Sequence, residues 1–149
     1  MNDRLMEALS SAIYVSKMYL AGTAVTEDDQ RIRASGLYPD WLAGNHVVGD
    51  VCNANGQTWE CYQAHDNATY PDIKPDNAAW YTFWRPLHGK TPETARPFVP
   101  VQGAHDIYRT GEFMIWTDGN TYECVDPNGT AYSPADYAQA WKLIPKIDG

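Results

Sequence analysis

The sequence has few basic residues and no long apolar run. Its 149 residues include 11 Lys and Arg against 19 Asp and Glu, which gives a formal net charge of -8. Because a surface of this sign repels polyanions, we expect no nucleic acid and no anionic membrane among its partners. No apolar stretch approaches the roughly 20 residues that span a bilayer. No apolar secretion segment follows the first residues, so we predict synthesis without a signal peptide and no membrane insertion.

Cysteine is also scarce. Cys52, Cys61 and Cys124 are the three cysteines, too few for a disulfide framework, and they form no Cys-x-x-Cys pair. Cys61 and His65 have the spacing of a zinc-ligand pair, but no second pair completes a tetrahedral site. We therefore predict three buried free thiols and no metal site.

Catalytic motifs are missing as well. No histidine has a Ser or Cys partner in a recognisable nucleophile motif, and no Gly-rich phosphate loop or dinucleotide fingerprint occurs. Asp66, Asp72 and Asp76 share one acidic segment, but a module of about 50 residues has little room for a catalytic cleft. We predict no catalytic residues, no cofactor and no enzymatic activity.

Aromatic and turn-forming residues are abundant, with 6 Trp, 10 Tyr, 11 Gly and 10 Pro. This composition favours short strands and turns over a helical bundle. Helical spacing of apolar residues predicts one helix from Asp3 to about Ala21. Thr26 as an N-cap and Gly36 after the helix end predict one or two further turns. Because an isolated helix of this length is marginal, it either associates with other copies or covers the β part of the chain.

Residues 38–89 and 98–149 repeat one pattern. The matched pairs are Gly49-Asp50 with Gly111-Glu112, Asn55-Gly56 with Asp118-Gly119, Thr58-Trp59-Glu60-Cys61 with Thr121-Tyr122-Glu123-Cys124, and Ala79-Trp80 with Ala140-Trp141. One residue is inserted in the second copy, and we expect a bulge between Gly111 and Ile115 to absorb it. The composition of residues 90–97, which lie between the copies, predicts a linker.

Each copy contains a hairpin, because Asn-Gly and Asp-Gly are the strongest signals for a two-residue turn. With the turn at Asn55-Gly56, Cys52 lies opposite Trp59. Strand alternation then gives the inward residues as Cys52, Trp59 and Cys61 in the first copy and Ile115, Tyr122 and Cys124 in the second.

Aromatic side chains in the loops are candidates for ligand binding, since sugar rings present flat apolar faces to flat rings. Tyr70 and Tyr132 follow the two hairpins in corresponding loops. Trp41, Tyr62 and Trp84 are further candidates. The alternative for each of these five side chains is a place in the core.

The ordered pattern of both copies resembles the chitin- and cellulose-binding carbohydrate-binding modules of families 5 and 12. The residues that carry this resemblance are Trp41, Gly49-Asp50, Gly56, the run from Trp59 to His65, Tyr70, Pro71 or Pro75 and Ala79-Trp80, and in the second copy Tyr108, Gly111-Glu112, Asp118-Gly119, Tyr122-Glu123-Cys124, Tyr132 and Ala140-Trp141. The resemblance implies two small antiparallel β modules, with the sugar-stacking position at Tyr70 and Tyr132 and a possible third at Trp41. His46 stands where the pattern has an aromatic residue, and the second copy has no early Trp.

The whole layout is similar to short proteins encoded among phage and prophage tail genes. Those proteins have an N-terminal helix, an entry like Tyr38-Pro39-Asp40-Trp41 and two tandem modules. The similarity implies a noncatalytic component of a tail fibre or baseplate tip in the virion that binds polysaccharide or cell-wall glycan. It also implies other tail proteins as neighbours and a homo-oligomer through the helix, with a trimer favoured. The alternative is a structural virion protein of the baseplate, collar or capsid decoration.

We therefore predict a mainly β chain with an N-terminal helical part. Its predicted divisions are a helical oligomerisation segment at 1–37, a first module at 38–89, a linker at 90–97 and a second module at 98–149. Both modules are expected to be of the carbohydrate-binding-module type.

Overall fold

The computed structural model describes residues 3–146. The chain divides into two compact units, Met1–Leu87 and His88–Gly149, and each is considered by itself. The described part of the first unit contains two α-helices and two small sheets, and that of the second contains one four-stranded sheet. The prediction of a mainly β chain with an N-terminal helix is confirmed.

Helix α1 spans Asp3–Leu20, as its periodicity predicts, and α2 spans Asp28–Arg33, followed by a 3-10 turn at Ser35–Leu37. Gln30 closes the start of α2, because its Oε1 accepts the N–H of Thr26 at 3.0 Å and that of the next residue at 2.9 Å. Thr26 is therefore a partner of this cap and not the N-cap itself. No helix within residues 3–146 combines the length and the apolar character needed to cross a membrane.

Helix α1 docks on the 3-10 turn through Ser11, whose hydroxyl donates to Arg33 O at 2.8 Å and accepts from Gly36 N at 2.9 Å. We predicted that Gly36 would follow the end of a helix, but it lies inside the 3-10 turn at Ser35–Leu37. A Cβ at this position would lie 2.4 Å from the backbone oxygen of Glu7, so glycine is needed for the close approach of α1. The helical segment thus packs within the first unit and covers it with one face.

The strands of the first unit are β1 Asn45–His46, β2 Val51–Ala54, β3 Gln57–Cys61, β4 His65–Asp66 and β5 Trp84–Pro86. β2, β3 and β5 form one antiparallel sheet in that order, and β1 pairs with β4. A 3-10 turn at Trp80–Thr82 leads into β5. The predicted register is confirmed, since Cys52 lies opposite Trp59 across Asn55-Gly56, where both turn residues have positive φ.

The inward side of this hairpin forms part of the core of the first unit. Cys52, Trp59 and Cys61 are buried, as predicted, and Phe83 and Leu87 are buried in the same unit. All three cysteines of the chain are buried free thiols, which confirms their predicted state.

Two arginines attach α2 to the sheet of the first unit. The Arg85 guanidinium donates two hydrogen bonds to the Asp28 carboxylate, at 2.6 and 2.9 Å, and one to Glu60 at 2.8 Å. Arg31 bonds the same two carboxylates, at 2.9 Å to Asp28 and 2.5 Å to Glu60. Burial opposes the charge on Arg85, but its hydrogen bonds and its attraction to Asp28 and Glu60 outweigh that cost and raise its pKa. The bidentate geometry fixes the orientation of α2.

The strands of the second unit are β6 Arg96–Pro97, β7 Phe113–Ile115, β8 Thr121–Cys124 and β9 Trp141–Ile144, adjacent in that order. Within its described residues, three 3-10 turns lie outside these strands, at Pro92–Thr94, Ala104–Asp106 and Ala138–Ala140. β6 runs parallel to β7, while the other pairs are antiparallel. The sheet is therefore mixed, and the prediction of a purely antiparallel module is wrong here.

Residues 90–97 are part of the second unit, so the predicted linker is wrong. Thr91 Oγ1 accepts the Thr94 N–H at 3.3 Å, and Thr94 is buried. Just before this segment, Gly89 O accepts the Phe113 N–H at 2.9 Å, and β6 at its end pairs with β7. The Thr and Pro residues that suggested a linker instead form a capped turn at the start of the unit.

The two units repeat one set of backbone hydrogen bonds, which we call the repeat frame. Its bonds join Gly49 N to Cys61 O, Cys61 N to Asp50 O, Tyr62 N to Phe83 O and Trp41 N to Asn53 O in the first unit, and Gly111 N to Cys124 O, Cys124 N to Glu112 O, Val125 N to Ala140 O and Phe98 N to Ile115 O in the second. All of these N···O distances are 2.8 or 2.9 Å. The internal repeat predicted from the sequence is therefore present in the backbone.

The repeat frame corrects the match between the tryptophans. Trp84 lies opposite Cys61 on the neighbouring strand, and Trp141 lies opposite Cys124. Trp141 therefore corresponds to Trp84 and not to Trp80, as the similar dipeptides had suggested. The longer loop of the first unit displaces the matching tryptophan along the sequence.

The inserted residue of the second copy lies in its hairpin turn. Trp116 N donates to Asn120 O at 2.9 Å, so residues 117–119 form a three-residue turn where the first unit has Asn55-Gly56. Such turns place a residue with positive φ at their third position, and Gly119 provides it. The predicted bulge between Gly111 and Ile115 is wrong.

As a result, Met114 takes the inward place predicted for Ile115. Met114 lies opposite Tyr122 and is completely buried, whereas Ile115 lies opposite Thr121 and is half-buried. Cys124 is buried, as predicted, and Tyr122 packs half-buried against the same core cluster.

Phe98 occupies the place of the early tryptophan that the second copy lacks. Its ring stacks on Tyr108 with centroids 5.3 Å apart and planes 15° apart. In the first unit, Trp41 stacks on His46 with centroids 6.3 Å and planes 20° apart. His46 and Tyr108 are thus equivalent, although Tyr108 is buried in the core of its unit and His46 is only half-buried.

Candidate binding surface

Tyr132 lies on a loop whose backbone is bonded to the core of the second unit. Its N–H donates to Thr130 Oγ1 at 3.1 Å, and its carbonyl accepts Nε1–H of the buried Trp141 at 2.9 Å. Tyr132 is nevertheless 60% exposed. The loop therefore holds the Tyr132 backbone in place while the ring faces solvent.

Tyr137 stands beside Tyr132 and was not among the predicted site residues. Its N–H donates to Ser133 O at 2.8 Å, and the buried Ser133 hydroxyl accepts the Asp136 N–H at 3.2 Å. This turn returns the chain so that the rings of Tyr132 and Tyr137 meet, with centroids 6.3 Å and planes 75° apart. Tyr137 is 41% exposed. We call Tyr132 and Tyr137 the exposed tyrosine pair. The Ser-Pro turn between the two residues is the sequence signal for it.

Tyr70 is the exposed loop aromatic of the first unit. The residue is 43% exposed, and its ring contacts Phe83, with centroids 5.1 Å and planes 60° apart. Its carbonyl accepts Nδ2–H of the buried Asn67 at 3.1 Å, and Asn67 Oδ1 accepts the Gly44 N–H at 3.0 Å. Tyr70 thus contacts the core through Phe83 and remains partly exposed.

Asp66 fixes the turn that leads to Tyr70. Its carboxylate accepts the N–H of Thr69 at 2.7 Å and the Thr69 hydroxyl at 3.1 Å. These hydrogen bonds, the backbone one first, lower the pKa of Asp66 from its usual value. The carboxylate therefore stays ionised, and the turn stays bonded, to a lower pH than an ordinary Asp carboxylate would allow.

Tyr70 and Tyr132 do not occupy identical positions. Each follows a short bridge that closes its loop, His46 with His65 in the first unit and Tyr108 with Thr130 in the second. Tyr132 comes two residues after its bridge, whereas Tyr70 comes five residues after it. The two loops therefore present their tyrosines from different points of the same frame.

The other three predicted site residues are less available. Trp84 is completely buried opposite Cys61, so its assignment to a ligand site is wrong. Trp41 is half-buried against His46. Tyr62 is also half-buried, and its hydroxyl donates to the backbone carbonyl of Tyr81.

The titratable side chains do not form a metal-binding group in the part of the chain that the structure describes. Cys61 Sγ lies 3.8 Å from His65 Nδ1, but no group of three or more His, Cys, Asp or Glu side chains within residues 3–146 could hold a metal ion. Burial raises the pKa of Cys61, which keeps its thiol protonated. The chemistry that the exposed loops offer is contact through aromatic rings.

No protein-family model and no curated protein sequence matches this chain. The arrangement of the exposed tyrosines on the repeat frame is therefore the basis for assigning a function.

Proposed function

We propose that this protein is a noncatalytic glycan-binding component of a phage or prophage tail, at a fibre or baseplate tip. In this proposal its two units are carbohydrate-binding-module-like and bind host surface polysaccharide by stacking sugar rings on tyrosines. The protein would be made in the host cytoplasm and act in the virion, beside other tail proteins.

The observation that carries the proposal is the exposed tyrosine pair. Tyr132 and Tyr137 are 60% and 41% exposed although the loop beneath them is bonded to the buried Trp141 and Ser133. A ring on a backbone fixed in this way loses less conformational entropy on binding than one on a flexible loop, which favours recognition of flat apolar sugar faces. The nearly perpendicular rings can contact one sugar on two sides or two successive sugars.

Tyr70 provides a second and simpler site in the first unit. Its ring is supported by Phe83, so a sugar can stack on it without displacing core side chains. Each shallow stacking contact is worth about 0.5–1.5 kcal/mol. Weak sites of this kind act together when they contact one polymer, because the second contact is intramolecular.

The test is retention of the intact chain on polysaccharide. Purified protein is incubated with insoluble chitin and with isolated host cell-wall polysaccharide, and the bound fraction is measured over a concentration series. We expect Tyr132→Ala to weaken binding about tenfold, because one lost stacking contact is worth about 1.4 kcal/mol. Tyr132→Phe keeps the ring and is expected to keep most of the binding, whereas Tyr132→Leu is expected to lose it.

Leu143→Ala is the matched control, since Leu143 is a half-exposed apolar residue of the same unit on β9 and outside the loop. Loss of binding in this variant would mean that general surface hydrophobicity, and not the exposed tyrosine pair, binds the polysaccharide. If the intact chain is not retained on any polysaccharide, and Tyr70→Ala/Tyr132→Ala leaves host adsorption unchanged, the proposal is wrong. The structural virion protein would then be the better assignment.

A further inference from the structure

Helix α1 has two apolar faces, and only one of them packs on the first unit. Ser11, Tyr14 and Val15 lie on the packed face, where Ser11 is buried and the others are half-buried. The opposite face carries Met6, Leu9, Ile13 and Leu20, whose exposed fractions lie between 47% and 84%. A helix that only covered its own unit would have polar residues on this outer face.

The outer residues follow the spacing of a coiled coil. Met6, Leu9, Ile13, Ser16 and Leu20 are separated alternately by three and four residues. In heptad notation they fall on successive a and d positions, which form a straight stripe when two helices wrap around each other. We call this stripe the seam.

The seam is presented in a fixed direction. Ser11 holds α1 to the rest of the first unit through its hydrogen bonds to Arg33 O and Gly36 N. It lies at the heptad position opposite the seam. Arg4, one heptad earlier on the same side, donates to Asp40 at 2.8 Å. The docked side and the seam therefore point in opposite directions, so a second helix can reach the seam without displacing α1 from the first unit.

We propose that the seam is occupied by helix α1 of a second copy of this chain, in antiparallel orientation. Asp3 and Lys17 are both exposed and lie on the same flank of the seam, two heptads apart. In an antiparallel pair, each end of the seam brings Asp3 of one copy next to Lys17 of the other. In a parallel pair, Lys17 would instead face the uncharged Ala12. Charge complementarity thus favours the antiparallel pair.

This inference does not rest on the proposed glycan binding. A pair contains four units, and each unit bears an exposed loop tyrosine. If the proposed function holds, pairing increases avidity without any new contact to the ligand.

The oligomeric state is tested on the full chain by light scattering after gel filtration, at protein concentrations up to the order of 100 μM. We expect a mass about twice the 16.7 kDa of one chain. Leu9→Asp/Ile13→Asp is expected to give a monomer with an unchanged circular dichroism spectrum, because both side chains are already about half exposed in the single chain. A wild-type monomer, or a trimer as favoured by the resemblance to tail proteins, would overturn the inference.

Orientation is tested by crosslinking a mixture of two variants, Leu9→Cys and Ile13→Cys. The native cysteines are buried, so the new thiols react selectively. In the antiparallel pair, position 9 of one chain faces position 13 of the other, and oxidation is expected to give mainly the mixed disulfide. In a parallel pair, each variant would link to itself, and that result would overturn the orientation.

Retention on polysaccharide is measured separately on the Leu9→Asp/Ile13→Asp variant. Weaker retention that is restored when the monomer is displayed densely on beads would agree with pairing as a source of avidity. Because the mass and crosslinking results do not depend on a ligand, a failure of glycan binding leaves them interpretable.

Discussion

The imidazole of His88 lies flat on the phenol ring of Tyr108, with centroids 3.8 Å apart and planes 9° apart. His88 Nδ1 is also 3.0 Å from Glu112 Oε1, and that oxygen accepts the Arg109 N–H at 2.7 Å. His88 and Glu112 are both buried. The first residue of the second unit is thus attached to the centre of its core.

We expect Glu112→Ala to lower the free energy of unfolding of the second unit by about 2–3 kcal/mol. The substitution removes the acceptor of the Arg109 N–H and the carboxylate partner of the buried His88 imidazole. Glu112→Gln keeps an acceptor and is expected to cost less. Urea unfolding measures both, with Glu93→Ala as a control at an exposed acidic residue of the same unit. Equal losses in Glu112→Ala and Glu93→Ala would contradict this account.

The close approach of α1 to the first unit predicts a large difference between two glycine substitutions. Gly36→Ala places a Cβ 2.4 Å from the Glu7 backbone oxygen, so we expect it to destabilise the first unit by about 1–3 kcal/mol. At Gly44 a Cβ meets nothing within 4 Å, and we expect Gly44→Ala to change stability by less than about 1 kcal/mol. Thermal unfolding of the two variants compares them directly. Equal midpoints would show that α1 does not dock on this turn.

The buried thiol of Cys52 predicts a loss of stability at alkaline pH. Burial raises the pKa of Cys52 from 9.0 to about 12. The folded state therefore keeps a proton that the unfolded chain releases, and this contribution is complete below pH 9 and is lost as the pH rises toward 12. Urea unfolding over this range measures the loss.

The control for this prediction is Cys52→Ala, which removes the titrating group. We expect it to reduce the pH dependence by up to one proton, or about 1.4 kcal/mol per pH unit. Burial also raises the pKa of Cys61 and Cys124, so part of the slope remains in the variant. A slope that Cys52→Ala leaves unchanged would contradict the assignment.

Sequence reasoning was reliable where a single local signal determines the structure. The Asn55-Gly56 turn fixes which residues face each other, so the pairing of Cys52 with Trp59 follows from counting. The extent of α1 follows in the same way from helical periodicity.

It failed where distant contacts decide. The match of Trp84 to Trp141 depends on where a long loop closes onto the sheet, which dipeptide similarity does not report. The exposed tyrosine pair depends on a turn that brings Tyr137 back to Tyr132. Thr91 and Thr94 have the composition of a linker, and only their mutual capping shows that they form a folded turn.

The repeat frame also has a consequence for how such a chain changes over time. The bonds from Tyr62 N to Phe83 O and from Val125 N to Ala140 O close loops of different length in the two units, yet both distances are 2.8 Å. The closure is indifferent to the number of residues that it encloses, because loop entropy grows only slowly with length. We therefore expect insertions and deletions between these anchor points to leave the strand register intact. In each unit, the loop between these anchor points can therefore change in sequence and length, and new binding surfaces can arise there or be grafted without redesign of the sheet.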